Sequence, residues 1–259
     1  MYKTLSRLLI LTLIAFTMQS NNWYAVKANT DTISYQLSVS IHGTDFTIHA
    51  NRLYKKIGLK EDQLSTKVFD KALKGYMVLK MKNELQNERF LTILDFSKSS
   101  KERRLWLIDL KYKSLIFNEL VAHGKNSGDE FATRFSNRHE SRQSSLGFYV
   151  TGQPYNGKHK YSLKLNGLEP YFNSNAFSRG LVVHGANYVD EDIVENDQRI
   201  GRSFGCPAVS QKANSIIVSL IKGGSCLFIY HPNAVYNQKS KILNTDLFIP
   251  IEELNELTE

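Results

Sequence analysis

The sequence predicts a mainly β domain with flanking helices, preceded by a helical N-terminal extension. Three patterns in the 259 residues carry that expectation. Short β-rich runs recur between turn residues: Phe90–Phe96, Leu105–Leu110, Leu115–Val121, Leu146–Thr151, Tyr161–Leu165, Gly180–Val183 and Cys226–Tyr230. Before them, Val68, Phe69, Ala72, Leu73, Tyr76 and Met77 repeat at helical spacing, with Ser65 placed to cap the helix. After Cys206 a second helical period runs through Val209, Ala213, Ile216, Ile217, Leu220 and Ile221 until Gly223-Gly224 stops it.

In chain order, residues 1–28 read as a signal peptide. Lys3 and Arg7 form a basic start, and Leu8–Phe16 is apolar except for Thr12. That run is too short to span a bilayer, and Val26-Lys27-Ala28 offers small residues for cleavage after Ala28. A buried N-terminal helix or a membrane anchor is the competing reading. Residues 29–88 form the extension with one amphipathic helix, and residues 29–56 show only weak alternation (Ile33, Tyr35, Leu37, Val39, Ile41). The polar residues Lys111–Lys113 make a hairpin turn. The β-rich domain is expected over 89–235, and 236–259 reads as a surface tail with a short apolar piece, Leu247–Ile251.

The formal charge is +8. Removing residues 1–28 takes away Lys3, Arg7 and Lys27 and no acid, leaving about +5. That balance suits a carboxylate-rich partner. No basic stretch interleaves with aromatics in a nucleic-acid motif, so nucleic acid is not expected as a partner. No later segment is apolar enough to cross a membrane, so none is expected after signal cleavage. A monomer is assumed.

Two cysteines in an exported protein first suggest a disulfide. Their settings differ, however. Cys226 lies in an apolar strand, as a small hydrophobe would, whereas Cys206 lies between Gly205 and Pro207. A nucleophilic cysteine needs its thiolate favoured. Pro207 suits the first position of a helix, which would make Cys206 its N-cap, facing the positive end of the helix dipole. A base would complete the set. The chain holds three His-Gly steps, at His42, His123 and His184, and only His184-Gly185 follows a clean apolar strand and precedes Ser203-Phe204-Gly205-Cys206 at short range. Gly205 permits a sharp turn, leaving the N–H groups of Gly205 and Cys206 to face a developing oxyanion. Ser203 could orient the turn or the imidazole. A zinc site from His123, His184 and Cys206 is a competing reading, but the spacing fits no zinc motif.

His-Gly followed by Ser-x-Gly-Cys resembles the catalytic signature of the murein L,D-transpeptidase (YkuD-like) family. Most members carry His where Phe204 stands, and an apolar residue followed by Arg or Asn where Pro207-Ala208 stands. The sequence Gly201-Arg202-Ser203-Phe204-Gly205-Cys206-Pro207-Ala208 is instead similar to a branch with Ser-aromatic-Gly-Cys-Pro-Ala, found in exported proteins of Gram-negative bacteria. Leu120–Gly128, Ser145–Gly152 and Gly224–Tyr230 look like the same branch, and the likeness covers about residues 65–232.

The resemblance implies an L,D-transpeptidase-type β-barrel or sandwich and periplasmic peptidoglycan stem peptides as partners. It implies attack by Cys206 on the carbonyl between an L- and a D-centre of a tetrapeptide stem, with His184 as base and then acid, and no cofactor or metal. Release of the acyl group to water would make the enzyme an L,D-carboxypeptidase, and a vestigial site would leave a peptidoglycan-binding protein. A thiol redox protein is disfavoured by the lack of a Cys-x-x-Cys pair. Arg202 is the candidate for the polar duty that other members place after the cysteine. His123, Gly185, Asn187 and Tyr149 are further candidates for substrate binding, Tyr155 and Tyr188 border the same region, and Arg134, Arg138 and Arg142 are either carboxylate ligands or a solvated basic loop.

Overall fold

The computed structural model describes residues 43–158, 160–196, 198–247, 249 and 255–256. The signal-peptide reading and the His42 step lie outside the described residues.

Two helices come first: α1 (Gly43–Ile57) and α2 (Thr66–Met81). The predicted α2 face is buried as expected, through Val68, Phe69, Ala72, Leu73, Tyr76 and Met77, and Val78 and Leu79 join it. Helix α1 is an addition to the one helix expected in the extension. Its signal is the recurrence of Phe46, Ala50, Leu53, Tyr54 and Ile57, of which Ala50, Leu53 and Tyr54 are buried. Both helices share one hydrophobic core with the sheet. The Tyr54 hydroxyl donates to the Leu64 carbonyl (2.5 Å) and the Trp106 indole N–H to the Asp62 carbonyl (2.9 Å), closing the helices onto the strands.

The eight strands are β1 (Phe90–Asp95), β2 (Leu105–Asp109), β3 (Ser114–Glu119), β4 (Gly147–Gly157), β5 (Lys160–Gly167), β6 (Val182–Gly185), β7 (Ala208–Val209) and β8 (Cys226–Tyr230). They form one sheet in the order β3-β2-β1-β8-β4-β5-β6-β7. β1 runs parallel to β8 and β6 parallel to β7, and the other neighbours are antiparallel. The sheet curls until its two ends meet. The chain leaving β3 bridges Ala122 to Ala208 of β7 and Gly124 to Ser203, giving a nearly closed, barrel-like sheet. β1, β2 and β8 are buried at every residue, which explains their largely apolar, non-alternating runs.

Helix α2 approaches the sheet closely at one point. Gly75 lies directly over the Phe148 ring, which stacks on Phe228 with centroids 4.2 Å apart, so a Cβ at position 75 would run into that ring. A mid-helix Gly→Ala change ordinarily stabilises by about 1 kcal/mol. Here the sign is expected to reverse. Gly75→Ala should destabilise by about 1–3 kcal/mol through overpacking, and a thermal melt followed by circular dichroism should show a lowered midpoint. A raised midpoint would contradict the packing.

After α3 (Glu191–Glu195) and α4 (Gln211–Ile221), α5 (Ala234–Lys239) ends the described elements. On α4 the buried face is Ala213, Asn214, Ile217, Val218 and Ile221, while Ile216 is exposed and Val209 belongs to β7, so the expected face is shifted by about one residue. Among the described residues from 236 on, several are packed into the core rather than lying on the surface. Tyr236 is fully buried, and Ile242, Leu243 and Ile249 join the core. The Tyr236 hydroxyl donates to Glu169 at 2.7 Å and Ser240 donates to its other carboxylate oxygen.

Candidate active site

Strand β6 carries His184 inward between β5 and β7, opposite Ser162 on one side and Ala208 on the other. The His184 backbone N–H donates to the Pro207 carbonyl (3.4 Å), the residue next to Cys206. The His184 ring is buried, with Nδ1 3.0 Å from the Gly185 carbonyl. A carbonyl only accepts, so Nδ1 carries the proton and Nε2 is left as the basic nitrogen. Gly185 thus orients the imidazole through its own backbone.

The turn before β7 presents Cys206. Ser203 Oγ accepts from the Gly205 N–H (3.0 Å) and donates to the Cys206 carbonyl (2.6 Å), bracing the turn from inside. Gly205 has φ +128°, and a Cβ there would lie 2.8 Å from the Gln143 carbonyl oxygen, so only glycine fits. Outside contacts fix the turn further. Ser203 N–H donates to the His123 carbonyl (3.0 Å), Lys125 N–H to the Ser203 carbonyl (2.8 Å), and Ser144 Oγ to the Gly205 carbonyl (3.1 Å).

Two expectations about this turn are corrected. Cys206 is not a helix N-cap, because Pro207 leads into β7, where Ala208 pairs with both His184 and Ala122 and holds the chain extended. Helix α4 starts at Gln211, and its N-cap is Ser210, whose hydroxyl accepts from the Ala213 N–H (3.2 Å). The Gly205 N–H is also not free for an oxyanion, since Ser203 Oγ takes it. Among the described residues no partner is found for the Cys206 N–H.

Both cysteines are free thiols. Cys226 is fully buried in β8, as its apolar context suggested, and Cys206 is half-buried. The Cys206 Sγ lies 3.8 Å from the Gly180 carbonyl. Burial dominates and holds the Cys206 thiol above its ordinary range, while the backbone of Val182 and the Arg179 guanidinium pull it part of the way back. Tyr188 packs nearby, and its phenol is pushed up to about 12, first by burial and then by the charge on Cys206.

A cleft of about 700 Å³ reaches the Cys206 turn at Phe204 and is lined also by Asn126, His139, Glu140, Arg142, Ser178, Arg179 and Leu181, with neither Cys206 nor His184 in its lining. Phe204 is 64% exposed and has a cation against its ring from each of two residues, Lys125 Nζ at 5.2 Å and the Arg142 guanidinium at 4.9 Å.

The other candidates divide. Asn187 is exposed and Tyr155 projects from the outer end of β4, with Lys164 over its ring (5.6 Å). Arg134 and Arg138 are exposed and do not line the cleft, whereas Arg142 does. Arg202 is engaged by the 125–129 loop: it donates to the carbonyls of Gly128 (2.7 Å) and Lys125 (3.3 Å) and pairs with Asp129 (3.1 Å). His123 and Tyr149 are corrections, because both are fully buried and cannot touch substrate. Tyr149 donates to the Ser145 carbonyl (3.0 Å) within the core, and His123 Nδ1 lies 2.9 Å from Arg104. Sequence reasoning missed Arg179. Its acceptors come from residues 136–145, so no local pattern marks it. Among the described residues no group of three or more His, Cys, Asp or Glu side chains gathers as a metal site would require.

The fold thus sets a histidine-bearing strand beside a cysteine-bearing turn. Residues 60–230 match the family model described as the L,D-transpeptidase catalytic domain, so the chain belongs to that family. A search of curated proteins finds no match. Among solved structures, an L,D-transpeptidase from Mycobacterium smegmatis is 10% identical with TM-score 0.36, covering 55% of this chain and 59% of that one. An L,D-transpeptidase from Stackebrandtia nassauensis is 13% identical with TM-score 0.34, covering 71% and 76%. A third, from Xylanimonas cellulosilytica, is 15% identical with TM-score 0.30, covering 54% and 60%. The chain therefore spans about three fifths of the first and third of these structures.

Proposed function

We propose that the protein is an exported L,D-transpeptidase that acts on peptidoglycan tetrapeptide stems in the periplasm through a Cys206 acyl-enzyme. The observation that carries the reading is the hydrogen bond from His184 N–H to the Pro207 carbonyl, together with the lock of Nδ1 on the Gly185 carbonyl. The first sets the histidine's strand against the nucleophile's turn, and the second leaves Nε2 as a base.

His184 Nε2 takes the thiol proton, and the thiolate adds to the carbonyl between the L- and D-centres. The oxyanion faces the Cys206 N–H. Collapse breaks the C–N bond, the imidazolium protonates the departing amine of the terminal D-residue, and a thioester remains. The amine of a second stem then attacks the thioester, its proton passes to His184, and the thiol is restored as a new amide forms. Water in place of the amine gives a trimmed stem. Ser203 and Gly205 hold the turn, Arg202 steadies the 125–129 loop beside it, and Arg142, at the cleft wall, is the candidate for a stem carboxylate. Asn187 lies near the end of β6, and residues 1–28 supply export.

The deciding experiment is mass spectrometry of muropeptides after purified protein is incubated with sacculi. Dimers joined through the L-centre of the donor stem, with loss of the terminal D-residue, are expected. Trimmed stems without dimers would identify the carboxypeptidase, and an unchanged profile would overturn the reading.

A further inference from the structure

Arg179 immediately precedes Gly180, on the approach to β6, and its guanidinium is fixed on four sides. Nη1 donates to the Ser136 carbonyl and to Ser145 Oγ, both at 2.6 Å. Nη2 donates to the Gln143 carbonyl at 2.7 Å and to Ser141 Oγ at 3.1 Å. A guanidinium has four terminal N–H groups, so these bonds occupy all of them. Every acceptor is neutral, and among the described residues Arg179 forms no ion pair with a carboxylate.

The guanidinium also borders the nucleophile's turn. A Cβ on Gly205 would lie 3.4 Å from Nη2, which puts the charge one residue from Cys206. Arg179 lines the cleft. With its terminal N–H groups taken, it cannot offer a substrate carboxylate the usual two-pronged grip. What it retains is its charge, and in this half-buried position that charge is weakly screened.

We propose that Arg179 is a positioning residue whose fixed positive charge favours the anionic form of the Cys206 sulfur, the duty the sequence had assigned to a helix N-terminus. Its effect opposes the burial of the thiol, and the two groups influence each other reciprocally. The other titratable groups facing the sulfur's surroundings are His184 on β6 and Tyr188 after it, with Arg142, His139 and Glu140 across the cleft. Arg179 is distinguished among them as a cation whose four terminal N–H groups are all bonded.

The test reads the thiol directly and needs no peptide turnover. Failure of the stem-peptide reaction would therefore overturn the proposed function without touching this inference. Iodoacetamide alkylation of the folded protein reports Cys206 alone, because Cys226 is fully buried. Rates are measured against pH for wild type, Arg179→Gln and Arg179→Lys, with thermal melts to establish folding. Arg179→Gln is expected to slow alkylation about tenfold at neutral pH, equivalent to a midpoint raised by about one unit. Its rate should rejoin the wild-type rate at high pH, where every thiol is ionised. Arg179→Lys keeps the charge but cannot make all four bonds, so it should keep most of the wild-type midpoint. An unmoved midpoint in Arg179→Gln would overturn the proposal. So would equal displacement in both variants, the signature of a purely structural rivet. Should Arg179→Gln not fold, Arg179→Lys decides alone, and a midpoint raised about one unit would refute the charge role.

Discussion

Cys206→Ala is expected to abolish both acyl-enzyme formation and release of the terminal D-residue, a loss on the order of 10⁴-fold or more in kcat, as for other covalent nucleophiles. The loss should not come from unfolding. The side chain is half-buried, the turn around it is held by Ser203, Ser144 and the bridge to Ala122, and none of those bonds uses the sulfur. Removing one sulfur from such a site costs at most about 1 kcal/mol, so the melting curve should barely move. Cys206→Ser should be nearly as inactive, because an alcohol at this position lacks the accessible ionisation of a thiol. Release of the D-residue, followed by mass spectrometry, measures turnover, and a thioester mass on the wild-type protein measures the intermediate. Full turnover by Cys206→Ala would remove the cysteine mechanism altogether and leave His184 without a nucleophile to serve.

The parts of this site that were legible in the sequence are those built from contiguous residues. Val182-Val183-His184-Gly185 is a buried strand between two others, and its apolar run announces it. Ser203 and Gly205 brace a turn from three or four neighbouring positions, which a motif can encode. The two-residue strand β7 is different. It exists because Ala208 pairs with His184 and Ala122, 24 and 86 residues away, and Pro207 reads locally as a helix start. Arg179 likewise has no local signature, since its bonds reach back to Ser136–Ser145. His123 and His184 illustrate the same limit. Each ends an apolar run and precedes a glycine, yet one ring is sealed inside by Arg104, whereas the other belongs to a strand whose backbone is bonded to the turn that carries Cys206. Helix α1 was legible in principle. Its apolar spacing begins at Phe46, directly after a stretch whose weak alternation masked the change of period.

Acid is expected to destabilise the protein through His123, which has a structural rather than a catalytic task. Arg104 is fully buried and donates from Nε and Nη2 to the Val121 carbonyl (3.1 and 2.9 Å) and from Nη1 to the Lys98 carbonyl (2.8 Å). Nη2 also lies 2.9 Å from His123 Nδ1, and a guanidinium can only donate, so Nδ1 must be an unprotonated acceptor. Burial first, and the Arg104 charge second, lower the His123 pKa to about 3. In the unfolded chain it returns to about 6.5. Between those values the unfolded state binds the extra proton, so stability falls as pH falls. From pH 7 to pH 5 the loss is about 2 kcal/mol, and it continues toward pH 3. His231, also lowered by burial, adds in the same direction, whereas Asp95 and Glu169, raised by burial, act oppositely in the lower range. The difference between wild type and His123→Gln isolates the histidine, because glutamine can still accept from Arg104 but cannot take a proton. Urea midpoints should converge as pH falls from 7 to 5, with the wild type losing more, and parallel pH curves would refute the assignment. The backbone of the same residue explains why the site would suffer with it. The His123 carbonyl holds the Ser203 N–H, so a proton that expels the His123 ring from the core also loosens the turn that presents Cys206.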